Sequence, residues 1–177
     1  FKKSGHRIGL IGFNMEELGG SEYLKVLFEK TEGRPPVLDL KNEKQVQEFC
    51  LELIKKGLIQ SAHDCSEGGL AIAVAESCFT SSRNSMGVTI DLDSTIRGDA
   101  LLFGESQSRI IVSFPEESME KIEDLALSYS VDFLLLGKIG GRYFTVNING
   151  REYIKQEIES IKNIWKTSLG RYAGQTT

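Results

Sequence analysis

Residues 58–79, LIQSAHDCSEGGLAIAVAESCF, decide how the chain is read. Leu58 and Ile59 form a short apolar run, expected as a strand, that heads into the polar turn His63-Asp64-Cys65-Ser66-Glu67-Gly68-Gly69. An alanine-rich segment with good helix propensity follows at once, so the expected order is strand, loop, helix. Two adjacent glycines at a helix start let the backbone come close to a ligand, and the free N–H groups of the first turn carry partial positive charge. Such a turn is a ready anion site, with phosphate the usual anion. For the glycine pair alone, a helix cap by Asp64 or Ser66 and a tight turn is the simpler account. The company favours a ligand: His63, Asp64, Ser66 and Glu67 share one turn with Gly68 and Gly69.

Downstream, residues 101–114, LLFGESQSRIIVSF, run from a short apolar turn through Glu105, Ser106, Gln107 and Arg109 into a buried strand at 110–114. In an extended chain Glu105, Gln107 and Arg109 project from one side together. An acid, an amide and a fixed guanidinium there can bind a polar ligand or each other, and an internal Glu105–Arg109 ion pair stands level with a ligand-facing set. Upstream, residues 7–13 (RIGLIGF) read as a buried strand. Gly19 and Gly20 make a second glycine-pair turn, with Ser21 a natural cap for a helix carrying Tyr23, Leu24, Leu27 and Phe28. Residues 33–36, GRPP, must be a loop. Between 39 and 57 the apolar positions Leu40, Val46, Phe49, Cys50, Leu53 and Ile54 recur at helical period, stopping at Lys55, Lys56 and Gly57.

The polar stretch 80–87 is expected as a surface loop, and 88–92 alternates as a half-buried strand. Pro115 begins a helix whose apolar face is Met119, Ile122, Leu125, Ala126 and Tyr129. Residues 131–139 and 143–148 read as strands, and Asn149-Gly150 signals a hairpin back through 151–154. A last helix over 155–169 sets Ile158, Ile161, Ile164, Trp165 and Leu169 on one face, and 170–177 reads as a flexible tail. Strands and helices interleave without strict alternation, so the expected fold is α+β, a mixed sheet covered by helices.

Composition bounds the rest. With 177 residues and 40% hydrophobic content the chain suits one well-buried core, and a single domain over 1–177 is expected. A net charge of -4 offers no general attraction for nucleic acid or an anionic membrane, so any phosphate must be held by local geometry. Cys50, Cys65 and Cys78 form an odd set without paired spacing, expected as reduced thiols of a cytoplasmic protein. No apolar run approaches membrane-spanning length. His6 and His63 are the two histidines, and no cysteine spacing suits zinc. Neither a G-x-x-x-x-G-K-[ST] loop nor a G-x-S-x-G elbow is present. Asp64 is either a magnesium ligand or a cap.

Three motifs carry a resemblance: ELGGSEYL at 17–24, HDCSEGGLAIAVAE at 63–76 and LFGESQSR at 102–109. In their order and spacing they resemble the carboxy-terminal domain of the phosphoribosylformylglycinamidine synthases. That family is akin to aminoimidazole ribonucleotide synthetase, selenophosphate synthetase, thiamine monophosphate kinase and a hydrogenase maturation protein, all users of ATP. The resemblance implies a carbon–nitrogen ligase that makes formylglycinamidine ribonucleotide from formylglycinamide ribonucleotide, ATP and glutamine-derived ammonia. It implies ATP and Mg as cofactors, mostly held by an amino-terminal-type domain of the same enzyme, and a glutaminase domain or subunit as partner. His63, Asp64, Ser66, Glu67, Gly68 and Gly69 are then expected to face nucleotide or phosphate. Glu105, Ser106, Gln107 and Arg109 are expected to face substrate or a second, structural nucleotide. A chain lacking the amino-terminal-type domain is expected to be inactive. The alternative is a nucleotide-binding or interface module of another member of the superfamily.

Overall fold

The computed structural model describes residues 1–79 and 85–172, with side chains to 168. The elements are β1 (Arg7–Ile11), α1 (Glu22–Phe28), α2 (Leu40–Lys55), β2 (Ser61–Asp64), α3 (Gly69–Phe79), β3 (Val88–Leu92) and α4 (Gly98–Phe103). They continue as β4 (Ile110–Phe114), a 3-10 turn (Glu116–Ser118), α5 (Met119–Tyr129), β5 (Phe133–Ile139), β6 (Tyr143–Ile148), β7 (Arg151–Glu157) and α6 (Ile158–Tyr172).

Among the described residues the strands form one mixed sheet in the order β2-β4-β1-β5-β3-β6-β7. Pairing is antiparallel except between β3 and β6, which run parallel with Val88 opposite Phe144. The fold is therefore α+β, a mixed sheet with helices on both faces. Side chains alternate across a strand, so neighbouring residues of β1 feed different cores. Ile8 and Leu10 enter a core built with α3, α4 and the start of α6, through Leu70, Val74, Leu101 and Ile158. Ile11 enters a second, smaller core beneath α2 and α5, with Phe49, Leu53, Phe114 and Ile122.

Local chemistry explains the helix starts. Asp39 caps α2 by accepting from Lys41 N (2.9 Å) and Asn42 N (3.2 Å). Ser21 caps α1 by accepting from Leu24 N (3.4 Å). Asn149 and Gly150 both take positive φ, 50° and 73°, as the two-residue hairpin between β6 and β7 requires.

Several expectations need correction. The strand before the glycine turn is β2, a few residues later than Leu58 and Ile59, so His63 and Asp64 lie on a strand and not in a loop. Residues 101–103, read as a short apolar turn, are the end of the short helix α4. The hairpin's second strand runs on to Glu157, and α6 continues through Tyr172, past the expected stop at Leu169. On α1 and α2 some of the apolar residues that mark the helical period point outward: Leu27 is 61% exposed and Leu40 73%. Of the expected loop 80–87, residues 80–84 lie outside the described residues, as do 173–177 of the expected tail.

Candidate functional site

Three chain segments surround a cleft of about 700 Å³ at one end of the sheet. The polar side of α2 contributes Glu43 and Gln47, the β2–α3 turn contributes Asp64, Cys65, Ser66 and Glu67, and the α4–β4 bend contributes Glu105, Gln107, Ser108 and Arg109. Both stretches singled out in the sequence thus meet at one cleft. Asp64, Ser66, Glu67, Glu105, Gln107 and Arg109 line it; His63, Gly68, Gly69 and Ser106 are not among its lining residues.

The glycine turn is occupied by the chain itself. Gly68 N donates to Glu105 Oε1 (2.8 Å) and Gly69 N donates to Ser66 O (3.1 Å). The same Glu105 oxygen accepts from Glu22 N (2.9 Å), the first residue of α1. A carboxylate of the protein stands where a phosphate was expected, so the open anion site read from Gly68 and Gly69 is corrected. The glycines have a different need. Both take positive φ, 79° and 68°, and a Cβ at Gly69 would fall 2.4 Å from Gly104 O at the end of α4. Only hydrogen at that position lets α3 pack this closely on α4.

The second stretch is bent, not extended. Ser108 has φ 58°, which turns the chain between Gln107 and Arg109 and separates them from a common side. Arg109 goes inward and is 3% exposed. Its Nε donates to Ser106 O (2.8 Å), Nη1 to Asn14 Oδ1 (2.7 Å) and Nη2 to Gly104 O (2.7 Å). Burial lowers its proton affinity, which Cys65, Glu17 and Glu105 partly offset. Glu105 is tied to backbone amides, so the internal Glu105–Arg109 ion pair is replaced by two separate sets of hydrogen bonds. Ser106 is fully buried, its Oγ 3.5 Å from Met15 O. Gln107 alone of the four is exposed, its amide donating to Glu105 O (3.1 Å).

On the opposite wall, the Ser66 hydroxyl donates to the Asp64 carboxylate. That bond holds the Asp64 carboxyl below its usual range, with help from its own backbone and His63. His63 turns away toward α3, with Nδ1 2.7 Å from Asp64 O, where it donates, and Nε2 3.5 Å from Glu76. Burial pushes the Cys65 thiol up to about 11, which leaves it a poor nucleophile near neutrality. Ser108 Oγ donates to Glu43 Oε2 (2.6 Å), tying the bend to α2. Glu43, Gln47 and Ser108 were missed from the sequence. The helical period shows which side of α2 is polar, but not what that side faces.

The chemistry of the lining is acidic: Glu43, Asp64, Glu67 and Glu105 surround one buried guanidinium, each of whose three nitrogens already donates to the chain. Among the described residues no group of three or more His, Cys, Asp or Glu side chains could hold a metal ion. These residues do not fit a triphosphate or its magnesium unaided. They suit hydrogen bonding to a neutral polar group through Ser66, Gln107 and the carboxylates. Among the described residues, no helix is long and apolar enough to cross a membrane.

With the fold and cleft in view, the comparisons assign the chain. Residues 3–148 match the family described as AIR synthase related protein, C-terminal domain, and the chain belongs to that family. At the level of individual proteins, it is 40% identical over 169 residues to phosphoribosylformylglycinamidine synthase subunit PurL of Moorella thermoacetica. The alignment covers 96% of this chain and 23% of the relative. The corresponding subunit of Anaeromyxobacter sp. (strain K) is 39% identical over 176 residues, with 96% of this chain and 23% of that protein covered. The chain thus spans less than a quarter of the length of these curated relatives. Among solved structures, T. maritima PurL complexed with FGAR superposes with a TM-score of 0.76 at 19% identity, over 91% of this chain and 28% of that one. The same protein complexed with ATP gives a TM-score of 0.73 at 18% identity, over 92% and 26%.

Proposed function

We propose that the chain acts as the carboxy-terminal domain of a phosphoribosylformylglycinamidine synthase in de novo purine synthesis in the cytoplasm. The observation that carries this reading is 40% identity over nearly the whole chain to a relative bearing that name. A fold shared with PurL structures complexed with ATP and with FGAR supports it. In this reading the enzyme is a ligase that consumes ATP to exchange an amide oxygen for ammonia nitrogen. The ammonia comes from a glutaminase domain or subunit, and a solved PurLQS structure from Thermotoga maritima is in keeping with such an assembly.

The acidic cleft supports a division of labour. Nucleotide and magnesium fall to amino-terminal-type domains, because among the described residues the cleft has no free cation or metal set to receive them. This chain supplies one wall of a site, presenting Ser66, Asp64 and Gln107 to uncharged polar atoms of a bound molecule. As a single domain it holds no complete site and is inactive alone.

Two measurements test this. The 177-residue chain should show no melting shift with millimolar magnesium ATP, since a ligand raises apparent stability only by binding the folded state. Joined to its amino-terminal-type domains, it should form formylglycinamidine ribonucleotide from the formyl amide, ATP and ammonia. Absence of that product from the complete protein would sink the synthase reading. A second reading, an interface module, is favoured by the internal satisfaction of the glycine turn; it predicts normal turnover after Gln107→Ala and Asp64→Asn.

A further inference from the structure

One carboxylate oxygen joins three segments that are far apart in sequence. Glu105 Oε1 accepts from Glu22 N at the start of α1 (2.9 Å) and from Gly68 N in the β2–α3 turn (2.8 Å). The Glu105 amide in turn donates to Glu17 O (3.2 Å), so the residue is anchored through backbone and side chain alike. Arg109 grips the same bend through Gly104 O and Ser106 O. Between these anchors Gln107 and Ser108 are left to face the cleft.

We propose that Glu105 is a positioning residue: as the chain's own anion, it sets the Ser66–Glu67 tip against the Gln107–Ser108 bend, two of the three segments that surround the cleft. An ionised acceptor shared by two backbone donors is a strong tie, strengthened by the partial positive charge of a helix start. It is also a tie to backbone, so it fixes where Ser66 and Glu67 stand rather than which rotamers they adopt. A free phosphate seeking Gly68 would have to displace a tethered carboxylate while facing Asp64, Glu67 and Glu43. The consequence for turnover rests on the synthase reading; the contact itself rests on geometry alone.

The test uses Glu105→Ala and Glu105→Gln in the 177-residue chain and in the complete protein. By NMR hydrogen exchange, the alanine variant should lose protection at the Gly68 and Glu22 amides by about tenfold or more, the loss expected when a charged acceptor is removed. The Ile90 and Val146 amides at the centre of the sheet should stay protected. The glutamine variant, whose carbonyl oxygen still accepts both bonds, should recover most of the protection. In the complete protein, kcat/KM should fall roughly tenfold with alanine and return with glutamine. Unchanged protection at Gly68 and Glu22 in the alanine variant would overturn the proposal. So would a glutamine variant whose KM rises as far as the alanine variant's while its amides stay protected, since the carboxylate would then touch the ligand. If alanine also exposes Ile90, the domain has unfolded and the glutamine variant decides alone by the same two readouts. Failure of the synthase reading would appear separately, as a wild-type protein without turnover but with the exchange pattern intact.

Discussion

A guanidinium at 3% exposure that meets two backbone carbonyls and one side-chain amide oxygen makes Arg109 the residue on which the α4–β4 bend depends. Removing it takes the guanidinium donor from two buried backbone carbonyls, Ser106 O and Gly104 O, and from the half-buried Asn14 oxygen. Arg109→Ala should lower unfolding free energy by about 3 kcal/mol or more, measured by urea denaturation, since each stranded buried acceptor costs roughly 1–3 kcal/mol. Arg109→Lys should recover only part of this, because an ammonium cannot reproduce the fork that spans Ser106, Asn14 and Gly104. Gly69→Ala is a second case: a positive φ and a Cβ 2.4 Å from Gly104 O should cost roughly 2–3 kcal/mol in the same measurement. At this scale the sequence told residue types from roles poorly. It identified Glu105, Gln107 and Arg109 as a polar group beside a strand, but their directions hang on the left-handed backbone of Ser108, which no side-chain pattern announces.

At the scale of elements, most of the chain was legible. β3, β6 and the Asn149-Gly150 hairpin follow from alternation and turn chemistry, and α2 from its period and its Asp39 cap. What escaped was decided by tertiary contact. β2 lies at Ser61–Asp64 because it pairs with β4, Ser61 opposite Ser113 and Asp64 opposite Ile110, although Leu58 and Ile59 are more apolar. The six-residue α4 is too short to show a period and is held by α3 packing against it. The hairpin turn also clamps a neighbour: Asn149 Oδ1 accepts from Ser94 N (2.9 Å) and its Nδ2 donates to Ser94 O (2.8 Å). Asn149→Ala should therefore cost roughly 2 kcal/mol, while Asn149→Gly keeps the backbone conformation and loses only the clamp. Thermal melts of the two variants check this; equal losses would show that the turn's φ is irrelevant.

For the molecule as a whole, two desolvated thiols, the half-buried Cys65 and the buried Cys78, carry a pH dependence. An unfolded cysteine ionises near pH 8.5 to 9, whereas burial pushes Cys65 to about 11 and Cys78 to about 12. Above about pH 9 the unfolded chain has released protons that the folded one keeps, so stability falls as pH rises toward 11 to 12. Fully buried Cys78 contributes at most about 1.4 kcal/mol per pH unit to that slope. Denaturation curves at about pH 8, 9 and 10 should show the decline, and Cys78→Ala should flatten it. The mixed sheet was legible at this scale, but the strand order was not: periodicity names strands without naming neighbours.

That order has a consequence during translation. β1, near the start of the chain, lies inside the sheet and pairs with β4 and β5, Ile8 facing Ser113 on one side and Gly137 on the other. While the ribosome is still adding residues short of 110, this apolar strand has neither neighbour and both of its edges are open. Until the later half emerges, RIGLI has no partner strand of its own and is the segment of the nascent chain most open to wrong pairing.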